Sequence, residues 1–135
     1  MTYLAQRLNQ KNGGKKKKLT TLPKLLSRTQ EVFNRWIRQR DAEHGCISCG
    51  GPVENAGHYF NQGQHSAFRF DELNVNGQCI RCNMHLHGNL IRYRQGLVNR
   101  LGHDKVTRLE QMADLKKSWK WTREELEQII AKYKV

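Results

Sequence analysis

"QCIRCNMHLHGN", residues 78–89, decides how this chain folds. Its two cysteines, Cys79 and Cys82, stand in C-x-x-C spacing, which recurs at Cys46 and Cys49 in "CISCGG", residues 46–51. Each short turn directs two sulfurs at one point, and two such turns close a tetrahedron of thiolates about Zn²⁺. Four thiolates fill the coordination shell and leave no open position for a substrate. This ion is therefore expected to be structural and to contribute folding free energy, on the order of 10 kcal/mol. Paired cysteines in a reducing compartment favour metal over disulfide.

The rest of the composition agrees with a stapled domain. Only 37% of the 135 residues are hydrophobic, so the core is modest and gains from a metal. Lysines and arginines outnumber acidic residues 24 to 12, giving a formal net charge of +12. Such an excess calls for a polyanion, because each neutralised phosphate releases condensed counterions. DNA is the expected partner. No long apolar run is present to span a bilayer, and no signal peptide is expected. A cytoplasmic setting with no membrane partner follows as the expectation.

Working outward from the cysteines, the organisation reads as an α+β fold. Residues 1–20 include "NQKNGGKKKK" and are expected to form a mobile basic arm, with Lys15, Lys16, Lys17 and Lys18 making nonspecific phosphate contacts. A single domain is expected over 21–135. It opens with a helix over 22–42, started by Pro23 and carrying a stripe of Leu25, Leu26, Thr29, Val32, Phe33, Trp36 and Ile37. That stripe packs either on the zinc domain or on a second copy of the chain. A metal finger spans 43–102, with "AGHYF" and "SAFRF" as strand-like runs of a short hairpin. From Ile80 to Leu101 the pattern is helical, with Leu86, Leu90, Tyr93, Leu97 and Leu101 on one face and Gly102 as its stop. Helices over 103–135 follow. Asp104 is expected to cap one, and Thr122 with Glu125 has capping-box spacing for the other.

The order of parts around the cysteines resembles the ββα-metal, or HNH, nuclease finger. Cysteine pairs flanking a histidine, with Asn83 straight after the last cysteine, resemble endonuclease VII. The wider string is similar to the NinG/Rap family of lambdoid phage recombination endonucleases. The stretches that carry this resemblance are "RDAEHGCISCG", "AGHYF", "RFDELNVNGQCIRCNMHLHGN" and "YRQGLVNRLG", covering roughly residues 40–102.

The resemblance implies a divalent-metal-dependent endonuclease for branched DNA, including Holliday junctions and D-loops, working in the host cytoplasm beside phage recombination proteins. Hydrolysis of a phosphodiester needs a base, and neutral imidazole suits that role near pH 7; the resemblance implies that His58 fills it. By resemblance Asn74 orients His58 from the adjacent strand, with Asn76 as the competing choice. The amide oxygen of Asn83 suits a hard ion such as Mg²⁺ or Mn²⁺. The related pattern places an aspartate before the histidine as a second ligand, whereas this chain has Gly57. Three histidines compete to replace it. His87 lies one helical turn from Asn83, His85 stands in the family pattern, and His65 lies in the hairpin loop.

Arg69, Arg81, Arg92, Arg94 and Arg100 are read as phosphate contacts, which position a backbone without reading bases. Trp119 and Trp121 are read as core residues, with stacking on unpaired bases as their alternative use. Symmetric cutting of a junction needs two active sites, so a homodimer through the N-terminal helix is expected. Two rival readings remain: a noncatalytic zinc-stapled DNA-binding module, and an HNH nuclease acting on linear duplex.

Overall fold

The computed structural model describes residues 19–135, and the four consecutive lysines Lys15, Lys16, Lys17 and Lys18 lie outside them. Helix α1, Leu22–Asp41, has Pro23 in its first turn, where a missing N–H costs nothing. Its stripe buries Leu25, Phe33 and Ile37 against Phe70, Val75, Leu126 and Tyr133. Fully burying one such side chain contributes about 1.5–3 kcal/mol. Tyr133 meets Phe33 edge-on at 4.7 Å and Trp36 at 4.9 Å, so the C-terminal helix closes over the stripe. The face expected to join two copies is consumed within one chain.

Two short antiparallel strands form the only sheet among the described residues. Strand β1 is Asn55–His58 and β2 is Val75–Gln78, in register Asn55↔Gln78 through His58↔Val75. Between them "SAFRF" is not a strand: Ser66–Phe68 make one turn of 3-10 helix. Phe68 joins a cluster with Leu109 and Ala113, while Phe70 joins the α1 cluster. Their separate burial pulls the segment out of extended form. The buried Asn74 amide then serves as its hydrogen-bonding partner. Asn74 Nδ2 donates to the carbonyls of Phe60 and Phe68, and Oδ1 accepts from the Phe60 N–H.

The helix expected from Ile80 to Leu101 is broken. A single π-helical turn, Arg81–His85, leads into His87, Gly88 and Asn89, all with left-handed φ (51°, 92° and 46°). Helix α2 starts only at Leu90 and runs to Leu101. Leu86 and Leu90 are exposed, whereas Tyr93 and Leu97 are buried with Ile47 and Val106. Gly102, at φ 91°, ends α2, and α3 follows as His103–Leu115. Asp104 sits in the first turn of α3 but makes no side-chain cap bond. Helix α4, Arg123–Tyr133, begins with the expected reciprocal bonds between Thr122 and Glu125. No described helix is long and apolar enough to cross a membrane.

Asp41 locks α1 to the sheet and to α2. Its side chain is 1% exposed; Arg40 contacts both carboxylate oxygens at 2.8 and 2.9 Å, and the Gly77 N–H donates at 2.7 Å. Arg100, from the end of α2, adds an ion pair at 3.5 Å. Burial alone would raise the Asp41 pKa, but the Arg40 and Gly77 hydrogen bonds and the charges of Arg40 and Arg100 outweigh it and leave it lowered. The sign is that of a carboxylate favoured in the fold. Its contribution is present above the unfolded-state pKa and disappears as pH falls through the folded value. Asp41→Ala takes the carboxylate from half-buried Arg40 and from the Gly77 N–H and is expected to destabilise by roughly 1–3 kcal/mol. Urea melts of both proteins at neutral pH and near pH 3 check this, because the difference should shrink on the acid side.

Candidate metal centre and active site

The sulfurs of Cys46, Cys49, Cys79 and Cys82 converge from the loop after α1 and the turn after β2. All four Sγ atoms lie within 4.8 Å of one another, and Cys49 and Cys79 are 3.6 Å apart. A tetrahedron with Zn–S bonds near 2.3 Å has edges of about 3.8 Å, so the donor set fits zinc. All four cysteines are free. Backbone N–H groups of Gly51 and Cys82 donate to Cys49 and Cys79 sulfurs at 3.4 and 3.3 Å, and Asn89 Nδ2 reaches Cys82 Sγ at 3.5 Å. Such bonds orient thiolates and soften their mutual repulsion.

His58 ends β1, half-buried, with Nε2 3.0 Å from the Arg69 carbonyl oxygen. A carbonyl only accepts, so Nε2 carries the proton. Burial lowers the pKa of this ring, and the nearby Arg69 charge adds to that, outweighing the opposing carbonyl bond. A neutral imidazole protonated on Nε2 leaves its lone pair on Nδ1, the form a general base needs. Among the described residues no hydrogen bond reaches Nδ1.

Asn74 does not hold this ring. Its amide is spent on Phe60 and Phe68, and the Arg69 carbonyl takes the orienting role. Asn76 does not hold it either: it donates to Leu73 O and the Tyr93 hydroxyl and accepts from Arg40 and Arg100. A backbone carbonyl leaves no trace in residue identity, so nothing in the sequence marked Arg69 for this role.

Asn83 lies in the π-helical turn, and its Nδ2 donates to Asn55 Oδ1 at 3.3 Å. Asn55 and His58 bound β1 and leave opposite faces of the strand, so Asn83 and His58 flank it from two sides. The helical relation expected between Asn83 and His87 does not exist, because His87 falls in the left-handed turn. His85 and His87 are exposed, and His65 lies beside the Phe60 ring with a buried Nδ1 that has no partner. Among the described residues the four cysteines are the only group of three or more His, Cys, Asp or Glu side chains placed to hold an ion. His65, His85 and His87 belong to no such group.

The aspartate missing at Gly57 has a physical replacement. A β-carbon at position 57 would fall on Gln78 Oε1, so the glutamine side chain occupies that space. Gln78 is fully buried, and its Nε2 donates to Ser48 Oγ and Gly88 O at 2.8 and 2.7 Å. Its Oε1 is buried without a hydrogen-bond partner. Gln78 thus ties β2 to the first cysteine turn and to the left-handed turn at Gly88, and Gly57 makes room for it.

The arginines divide by partner. Arg94 is bound to Glu110 at 2.9 Å, Arg100 to Asp41 and Asn76, and Arg69 to Gln30 at 2.7 Å. Arg81 and Arg92 are exposed and make no ion pair among the described residues. Trp121 is half-buried against Phe70, in line with a core role, whereas Trp119 is 42% exposed.

Elemental analysis of purified protein is expected to return one zinc per chain, with Cys82→Ser losing the metal and the cooperative melt together. Gly57→Ala is expected to destabilise by about 1–3 kcal/mol through overpacking against Gln78. Combining it with Gln78→Ala should cost less than the sum of the two single changes, a coupling that a double-mutant cycle of denaturant melts measures.

Comparison with known proteins extends the likeness beyond the finger. Residues 4–135 match the family described as "Bacteriophage Lambda NinG protein", a span that takes in the lysine-rich segment as well. Protein ninG of Escherichia phage 933W is 40% identical over 111 residues, covering 80% of this chain and 54% of the relative. The ninG proteins of Salmonella phage P22 and Escherichia phage lambda are each 37% identical over 111 residues, covering 80% of this chain and 53% of theirs. The chain therefore spans about half the length of these curated relatives. No solved structure matches it. Shared sequence over nearly the whole chain settles the kinship: this protein belongs to the NinG family of lambdoid phage proteins.

Proposed function

We propose that this chain is a structure-selective DNA endonuclease that cleaves branched recombination intermediates, such as four-way junctions and D-loops, with its thiolate cluster holding a structural Zn²⁺. The observation that carries the reading is the His58 ring. It is kept neutral by burial and fixed in the Nε2-protonated form by the Arg69 carbonyl, with Nδ1 left as base. The order of a hairpin, a thiolate knot and a helix, with Asn83 after the last cysteine, is the arrangement on which the resemblance to HNH and endonuclease VII-like enzymes rests. The formal charge of +12 supports a DNA partner.

In the proposed reaction a water molecule gives a proton to His58 Nδ1 as its oxygen attacks phosphorus. The new P–O bond forms while the bond to the 3′ oxygen breaks, and that oxygen takes a proton from solvent. β1 pairs only with β2 among the described residues, so its second edge is free of ladder bonds. A strand of DNA laid across that edge would meet His58 on one side and Asn83 on the other. Arg81 and Arg92 are the exposed cations assigned to backbone contacts. Cutting both strands of a junction needs two such sites, so the proposed working unit is a homodimer on DNA.

A second reading draws on a specific observation. Gly57 brings no ligand, and Gln78 fills the space beside it, which favours a noncatalytic zinc-stapled DNA-binding module. One assay separates the readings. Labelled four-way junction and matched linear duplex are incubated with protein in Mg²⁺ and, separately, Mn²⁺. Cleavage of the junction alone supports the proposal, equal cleavage of duplex points to a linear-duplex nuclease, and binding without cleavage supports the module. His58→Ala is expected to lower the cleavage rate by roughly 10²- to 10⁴-fold while junction binding persists. Because the His58 pKa is lowered from 6.5, the rate should rise with pH below that value and lie flat through neutrality. A rate still climbing well above pH 7 would exclude His58 as the base.

A further inference from the structure

A pocket of about 330 Å³ opens between the start of α1 and the segment leading into α4, lined by Leu26, Arg69, Trp119, Lys120, Trp121 and Leu126. Its size lies at the lower end of small-ligand sites, roughly 300–1,000 Å³. The two tryptophans have different duties in it. Trp121 packs edge-on against Phe70 at 5.0 Å and donates its Nε1–H to the Ser66 carbonyl at 2.9 Å, so it belongs to the wall. Trp119 is 42% exposed yet firmly held. Its backbone N–H donates to Ser66 Oγ at 2.8 Å, its carbonyl accepts from the same hydroxyl, and its ring N–H donates to Glu125 at 3.1 Å.

A large aromatic surface left open to water and immobilised at three points is unlike either a core tryptophan or a loose surface one. Its ordering is already complete before any ligand arrives, which lowers the entropy cost of binding. The two indoles stand 6.4 Å apart at 64°, so a flat group lying on one presents its edge to the other. Cations outnumber anions around it: Arg69 and Lys120 line the opening and Lys116 Nζ sits 4.5 Å over the Trp119 ring, while the Glu125 carboxylate holds the indole N–H edge from outside the lining. A planar, apolar-faced group attached to an anion is the ligand that such a pocket fits.

We infer that this pocket takes an unpaired nucleobase of a DNA strand, stacked on Trp119, with its phosphate facing Arg69 and Lys120. A base inside duplex cannot enter, because both its faces are stacked and its edge is paired; a base at a branch point or gap is free to do so. Arg69 joins this pocket to the proposed catalytic residue, since its side chain lines the opening while its carbonyl fixes the His58 ring. The inference rests on the DNA-binding reading above and adds to it the feature that distinguishes unpaired from paired DNA.

The test uses the full chain, a single-stranded oligonucleotide carrying 2-aminopurine, and the same strand paired in duplex, at one fixed salt concentration. Wild-type protein is expected to bind the single strand and change its 2-aminopurine emission. Trp119→Ala should weaken single-strand binding by roughly 5- to 100-fold, leave duplex binding nearly unchanged, and abolish the emission change. Trp119→Phe, which keeps a stacking face, should restore most of the affinity. Thermal melts of both variants check the Ser66 and Glu125 anchors, and Lys120→Ala, outside those anchors, should weaken the single strand more than the duplex. Equal losses on both DNAs, or no loss on the single strand, would overturn the pocket while leaving the DNA-binding reading in place. A wild-type chain that binds neither DNA would overturn both.

Discussion

Convergence of four sulfurs within 4.8 Å is the constraint on which the rest of the molecule depends. A sheet of two four-residue strands does not hold itself together in water. Here the thiolate knot closes one end of the hairpin, and Asp41 pins its centre to α1 through the Gly77 N–H. The knot also joins residues far apart in the chain, bringing the loop after α1 against the turn after β2. His58 in the hairpin and Asn83 in the turn that follows it both hang on that frame.

The hairpin has two unlike faces, and their difference organises the chemistry. Ala56 and Val75 look toward the α1 core, with His58 at the end of the same row. Gly57 and Gln78 occupy the other side, where the glutamine bridges to Ser48 in the first cysteine turn and to Gly88 in the left-handed turn. That bridge excludes a side chain at position 57. The glycine that stands where the sequence resemblance implied an aspartate is therefore a packing solution, in which an amide that braces the knot fills the space a side chain would otherwise take.

Much of the frame was legible in the sequence because it follows from short-range rules. The periodic stripe of α1, the reciprocal cap at Thr122 and Glu125, the stop at Gly102 and the two C-x-x-C turns each depend on residues close together in the chain. What escaped depends on distant partners. "SAFRF" alternates like a strand, but Phe68 and Phe70 are claimed by different clusters, so tertiary burial overrides local pattern. The run from Ile80 to Leu101 keeps helical spacing, yet the turn at His87, Gly88 and Asn89 interrupts it. Asn74 is of the right type and on the hairpin, but its amide satisfies loop backbone, leaving a carbonyl to orient His58.

The left-handed turn also has a thermodynamic side. His87 and Asn89 lack the freedom of glycine, and each such conformation costs on the order of 1 kcal/mol or more. The turn is held by Gly88, whose carbonyl accepts from Gln78 and Ser48 and whose N–H donates to Cys82 O, and by Asn89 on the Cys82 sulfur. Three side chains, Gln78, Ser48 and Asn89, and one backbone bond thus hold a bend that its own residues disfavour, so the geometry of the turn and the position of Cys82 are tied to one another.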